Sequence, residues 1–429
     1  MADTGKQQEV APSDSVAKAK GRSPLLIIFF TVLIDLIGFG LIIPIMPSYA
    51  RVLHASDATV GLLFASYSLM QFIFMPFWGR LSDRLGRRPV LLISLSASAI
   101  GYLIWGFSNT LVMLFVARLV AGAGNANIAV AQAYVSDVTT PENRAKGMGV
   151  IGAAFGLGFV LGPVLGGLFL GSEVIAFMRG LIPTLTANNA LAGLQLLGFI
   201  AAALSLIDLV YAFFFLPEPE KRSHAGAERF DLKPNFLMET LTNKNLKNSM
   251  VIFFISTFAF ANMETTLVLL TNDQFGFTPR QNSMLFFYIG MLIVFVQGGL
   301  IHRLAKKYGE KILIEVGTVL IGLGLILTPL THSLPVLYVA LALLAFGSGI
   351  NTPANQSMLS KLAPQEKVGG VMGIGQSIST LGRIVGPVVG GASYQYLGVA
   401  SPYLIGAVAM VVAFLFSLQL PKMSAQPKI

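Results

Sequence analysis

The chain has 429 residues, 54% hydrophobic and only 11% charged, with a mean hydropathy of +0.73. Soluble domains carry roughly 25% charged residues, so this stock cannot cover a water-facing surface of that size. A net charge of +9 raises the question of a nucleic-acid partner, and the absence of cysteine excludes disulfides and thiolate metal sites.

Residues 1–23 are polar, with Lys6, Lys18, Lys20 and Arg22 and no apolar core or small-residue cleavage site. They are expected to form a retained cytoplasmic tail rather than a signal peptide. Apolar segments then recur near 25–47, 58–79, 89–107, 111–135, 147–170, 195–216, 249–271, 281–301, 312–331, 334–358, 370–393 and 399–420. Each approaches the roughly 20 residues that cross ~30 Å of hydrocarbon as a helix, which predicts an all-α membrane protein of twelve spans. Between spans 5 and 6, Gly171–Leu194 contains the apolar stretch IAFMRGLIPTL, an expected interfacial helix. The polar stretch 217–248, rich in Pro and mixed charge, reads as a cytoplasmic linker. It separates a six-helix bundle over 24–216 from a second over 249–420, with a short tail at 421–429. With the N-terminus inside, 24 of the 29 Lys and Arg fall on the tails and even-numbered loops. Arg51, Arg179 and Arg280 fall outside, while Arg118 and Arg383 lie within spans. This positive-inside bias predicts both termini in the cytoplasm and makes the charge a report of topology, with no nucleic-acid partner.

The two halves repeat. At an offset of 223 residues Gly86, Gly124, Ala131, Pro141 and Gly147 fall on Gly309, Gly347, Ala354, Pro364 and Gly370. After a one-residue slip, GLGFVLGPVLGG (156–167) falls on TLGRIVGPVVGG (380–391) with seven identities in twelve positions. An even number of helices per half makes the repeats parallel, about an axis along the membrane normal. A central site between rocking halves follows as an expectation. Gly158, Gly162, Pro163 and Gly166 in span 5, with Gly382, Gly386, Pro387 and Gly390 in span 11, are expected to pack helices closely, the prolines supplying a hinge.

Several segments carry a resemblance. The loop GRLSDRLGRRPVLL (79–92) resembles the signature loop of the major facilitator superfamily. LFVARLVAGAGNA (114–126) and GLGFVLGPVLGG resemble its motifs in helices 4 and 5, and IDLIGFGLIIPIMP (34–47) that of helix 1 in twelve-helix drug/proton antiporters. The N-terminal half looks most like the tetracycline/proton antiporters. FANMETTLVLLTND, around Glu264, resembles helix 7 of quinolone-type multidrug pumps. The resemblance implies alternating access, in which Asp83 faces the start of helix 11 and an Arg of the loop meets Asp137. Gly79, Asp83, Arg84, Gly86, Arg87, Arg88, Asp137 and Arg144 form the expected cytoplasmic gate. The chain departs from the tetracycline exporters at Gly101 and Ile321, where they carry acids, and from the quinolone-type pumps in the uncharged GSGIN at 347–351.

Ionisable side chains inside a bilayer are costly and mark function by default. Setting aside Glu315, within a turn of its helix start, five qualify: Asp35 (span 1), Arg118 (span 4), Asp208 (span 6), Glu264 (span 7) and Arg383 (span 11). Burial favours the protonated carboxyl, so an acid in a desolvated cavity can exchange a proton for a cationic substrate. Glu264 is the first candidate for that role and Asp35 the second. Facing helices predict the pairs Asp35–Arg118 and Glu264–Arg383, with an anionic substrate group as the alternative use of Arg383. Asp208, eight residues before the end of span 6, is expected at the cytoplasmic funnel or the site. Tyr67, Gln71, Asn125, Asn127, Gln132, Asn262, Tyr288, Asn351, Asn355 and Gln376 are candidates for lining the cavity, or for interhelical hydrogen bonds. No HExxH or GxSxG occurs, so an enzyme is not expected. The leading expectation is a monomeric, proton-coupled exporter of small amphiphilic compounds in a bacterial inner membrane, contacting substrate, protons and lipid, with no cofactor beyond the proton gradient. The alternative is a proton-coupled transporter of a metabolite such as a sugar, peptide or lipid.

Overall fold

The computed structural model describes residues 24–140, 143–182, 185, 189–219, 234–364 and 367–422. The N-terminal tail, most of the central linker and the last seven residues lie outside the described residues, as does the side chain of Arg144. The helices in order are α1 (Pro24–Ile42), α2 (Met46–Val52), α3 (Asp57–Leu85), α4 (Arg87–Phe107), α5 (Leu111–Gly124), α6 (Ile128–Val138), α7 (Arg144–Phe169), α8 (Ser172–Leu181) and α9 (Asn189–Phe215). There follow α10 (Pro234–Thr242), α11 (Lys244–Phe275), α12 (Pro279–Phe295), α13 (Ile301–Leu330), α14 (Leu334–Leu362), α15 (Val368–Leu397) and α16 (Ser401–Leu418).

Among the described residues helices cover all twelve expected segments, several of them longer than the apolar stretch because polar turns extend them. Span 1 breaks after Ile42 and resumes as α2, where Pro44 and Pro47 cannot donate to the ladder. Span 4 is α5 and α6 joined by a 3₁₀ turn at Asn125–Asn127. Span 8 is α12, a π-helical turn at Val296–Leu300 and the first part of α13. The chain turns sharply at Gly309 (φ 76°) before span 9, as it does at Gly86 (φ 102°) between spans 2 and 3. These two glycines are the aligned pair of the repeat, and positive φ is what a Cβ would resist. The amphipathic α8 covers the first part of the predicted interfacial stretch, as far as Leu181, while 183–184 lie outside the described residues. Two boundaries move: the linker contains α10, and span 7 begins at Lys244 rather than 249.

The duplicated glycine segments pack alike. A Cβ on Gly162 would meet the Gly40 backbone at 2.6 Å, and one on Gly386 would meet the Phe258 carbonyl oxygen at 2.6 Å. Thus α7 closes on α1, and α15 on α11, the first helix of its own half. Between halves the most extensive contacts are α3 with α15 and α7 with α12, and α11 also meets α2 and α3. We call the face bearing Gly86 and Gly309 the basic face; Arg51 marks the opposite one. On the four interface helices, glycines toward the Arg51 face are crowded: Gly61 against Pro387, Gly391 against Asp57, Gly167 against Met284 and Gly290 against Phe159. Toward the basic face, Gly79, Gly149, Gly152 and Gly369 of these helices have nothing within 4 Å of a built Cβ. The halves are closed at the Arg51 face and part toward the basic face.

Candidate transport site

Where the halves meet at mid-depth, Phe39 and Ile43 (α1 end), Phe64, Tyr67 and Ser68 (α3), Arg118 (α5), Ala261 and Glu264 (α11), and Arg383 and Pro387 (α15) surround one space of ≈ 10 Å³. That is room for about one water, whereas pockets for drug-sized ligands run from roughly 300 to 1,000 Å³, so the halves must part here to admit such a molecule. Glu264 is 7% exposed and Arg118 2%.

The two arginines are held by aromatic faces. The Arg118 guanidinium lies 4.2 Å from the Tyr67 ring centroid. Tyr67 stacks on Phe39 at 4.9 Å and 23°, and the Arg383 guanidinium lies 5.9 Å from the Phe39 ring centroid. This cluster of two rings and two cations joins both halves. A desolvated cation–π contact is worth ~2 kcal/mol, part of what a guanidinium loses on leaving water. Arg118 Nε completes no hydrogen bond among the described residues. Glu264 is the carboxylate within electrostatic reach of both arginines. Counting these three as ionised, the space carries two positive charges and one negative.

Asp35 is placed differently from the sequence expectation. It does not pair with Arg118. The 3₁₀ turn in span 4 turns Asn127 Nδ2 to 3.4 Å from Asp35 Oδ2. The Asn125 amide, oriented to satisfy its neighbours, donates to both Asp35 oxygens and accepts from the hydroxyls of Tyr67 (3.2 Å) and Tyr102 (3.1 Å). Asparagines could win this contact because the turn brings two amides to the acid, while Arg118 lies on α5 and turns to Tyr67. A chain Asp35–Asn125–Tyr67–Arg118 therefore links the acid to the cavity. Asp208 faces no funnel: it is 0% exposed.

Most candidate lining groups serve helix packing. Asn262 donates to the Pro402 carbonyl, Asn351 to that of Ile314, and Gln71 to that of Asn125. Ser249 donates to Asn355, and Tyr288 bonds the Tyr338 carbonyl away from the cavity. Gln376 is exposed on α15. Of that set only Tyr67 lines the space.

At the basic face, Arg87 Nε donates to Asp137 (2.8 Å) and Arg87 Nη1 to Asp83 (2.6 Å). Glu218 accepts from the backbone N–H groups of Arg87 and Arg88 at 2.7 and 2.8 Å, a carboxylate at the N-terminus of α4 where the helix dipole favours it. Asp83 is 64% exposed on its side chain and does not meet the start of α15 as the resemblance implied, because the halves are parted there. The C-terminal half repeats the brace with signs reversed, Lys361 of α14 bonding Glu310 just after Gly309, joined by Ser357. Arg80 and Arg84 of the same loop are exposed.

At the opposite face a cluster that sequence reasoning missed ties the halves. Arg51 bridges Asp57 (2.9 Å) and Asp273 (2.6 Å). Tyr394 donates to Asp273 at 2.6 Å, the Asn272 amide meets the Ser48 hydroxyl at 3.3 Å, and the Ala58 N–H donates to Gln395 at 3.0 Å. Burial works against the Arg51 charge, but Asp273 and Asp57 outweigh it and hold its pKa above the ordinary arginine value. Arg51 was visible as one of three basic residues breaking the positive-inside pattern.

Two pseudo-symmetric helical halves around a charged midplane space define a multi-pass membrane transporter. The Major Facilitator Superfamily model matches residues 28–314 and 300–428. The tetracycline resistance protein, class H, of Pasteurella multocida is 32% identical, covering 93% of this chain and 95% of that protein. Multidrug resistance protein 2 of Bacillus subtilis is 31% identical over 90% and 92%. The crystal structure of the human organic anion transporter MFSD10 (TETRAN) has a TM-score of 0.67 at 27% identity, over 92% of this chain and 98% of that one. The chain belongs to the Major Facilitator Superfamily and is related to its drug-antiporter branch.

Proposed function

We propose that this transporter exports small amphiphilic compounds in exchange for protons, by alternating access about the Glu264 space. The observation that carries the reading is one buried carboxylate, Glu264, lining a space shared by both halves. A single acid there binds either a proton or a cationic group, and that exclusion couples the two flows in opposite directions. Asp35 joins the exchange through Asn125 and Tyr67. The tetracycline and multidrug resistance relatives support export of drug-like compounds. The positive-inside bias supports a basic face and termini in the cytoplasm of a bacterial inner membrane. In this reading the bundles 24–216 and 249–420 are the rocking bodies of a monomer embedded in lipid, and the Arg87–Asp83–Asp137 brace belongs to the cytoplasmic gate.

A second reading rests on the arginine pair. An anion would bind Arg118 and Arg383 in competition with ionised Glu264, so protonating Glu264 would favour it. Proton and anion would then move together. The relative described as an organic anion transporter is consistent with this reading.

The sign of proton movement separates the two. In inverted vesicles holding an imposed pH gradient, a pH-sensitive dye is read after adding cationic ethidium or anionic fluorescein. Export by antiport predicts proton release from the vesicle lumen on adding ethidium. Proton entry on adding fluorescein, with ethidium silent, would replace it with the second reading.

A further inference from the structure

The N-terminal half buries one acid that the central space does not use. Asp208 on α9 is 0% exposed, and neither of its carboxyl oxygens completes a hydrogen bond with a described residue. It faces α1, where the Thr31 side chain is its hydroxyl neighbour; Thr31 Oγ1 also completes no hydrogen bond. Thr31 and Asp35 are four residues apart on α1 and so share a helix face. The charged group acting on Asp208 is Asp35. The elements packed on α9 are α4, α1, α8, α7 and α2. Ser98 of α4 and Ser205, one turn before Asp208, are uncharged buried hydroxyls that likewise complete no hydrogen bond.

The two acids differ in their donors. Asp35 receives amide N–H groups from Asn125 and Asn127, and such donors favour a carboxylate anion. Asp208 receives no amide N–H and has only the Thr31 hydroxyl beside it, and an ionised carboxylate buried with so little hydrogen bonding and no counter-charge is costly. Neighbouring buried carboxylates also resist ionising together.

We propose that Asp208 and Asp35 hold one proton between them, resting on Asp208, and that this pair is a second proton-binding site inside the N-terminal half. Transfer between them leaves the charge of the pair unchanged: one carboxyl loses the proton that the other gains. Asp35 is the member connected to the transport space, through Asn125 and Tyr67, so the pair can supply or receive the proton that Glu264 exchanges. That last role rests on the proton-coupled reading above; the shared proton itself does not.

Infrared difference spectroscopy of the purified full-length protein in lipid, titrated with pH, tests the pair without any transported compound. A protonated-carboxyl band is expected at neutral pH, lost in Asp208→Asn and kept, at a shifted frequency, in Asp208→Glu. Asp35→Asn is expected to shift the pH at which the band disappears. Persistence of the whole band in Asp208→Asn would overturn the proposal, as would a titration unmoved by Asp35→Asn. Loss of the band when sodium replaces choline at constant pH would also overturn it, making the site one for a metal cation. If the band behaves as expected while ethidium evokes no proton movement, the antiport reading fails and the shared proton stands.

Discussion

At the scale of single residues, the transport space is built from guanidinium planes laid on rings. Lysine would keep the charge of Arg118 but not the plane that lies 4.2 Å from Tyr67. Arg118→Lys is therefore expected to lose ~0.5–2 kcal/mol of the contact, read as roughly 2- to 30-fold weaker substrate binding in proteoliposomes. Wild-type affinity in that variant would show that the stack does not position the cation. The rarity of charge in the spans pointed to Asp35, Arg118, Glu264 and Arg383 from the sequence. Their pairing was not legible there, because it depends on a local 3₁₀ turn at Asn125–Asn127 and on Phe39, an apolar residue that no charge count selects.

Among the elements, helix periodicity and the glycine repeat carried most of the fold. The match of 156–167 to 380–391 reappears as two equivalent helix contacts, α7 on α1 and α15 on α11. What hydropathy could not show was that α15 runs past the 370–393 span at both ends, or that span 8 runs through a π-helical turn into α13. The close packing gives a paired test within one helix. Gly162→Ala places a Cβ 2.6 Å from the Gly40 backbone, and overpacking of this kind costs ~1–3 kcal/mol. Gly152→Ala, with nothing within 4 Å, is expected to be neutral or to stabilise by up to ~1 kcal/mol, the helix preference of Ala over Gly. Unfolding of the detergent-solubilised proteins measures both. Equal stability of the two variants would remove the contact from the account.

For the whole molecule, one face is tied shut and the other parted, the arrangement from which the proposed rocking about the midplane starts. The native chain has no cysteine, so an introduced pair reports without background. Ser48→Cys with Asn272→Cys, replacing side chains 3.3 Å apart across the halves, is expected to form a disulfide that stops transport and to recover it on reduction. Transport at an undiminished rate with the crosslink formed would mean that this face need not open.

The central claim is that Glu264 couples proton and substrate at the junction of the halves. In proteoliposomes, Glu264→Gln is compared with the wild type for ethidium flux driven by a pH gradient and for ethidium exchange at equal pH. The account predicts that the variant loses the gradient-driven flux at least ~10-fold, the ~1.4 kcal/mol equivalent, while exchange without a gradient persists. Gradient-driven flux at the wild-type rate in Glu264→Gln would contradict it.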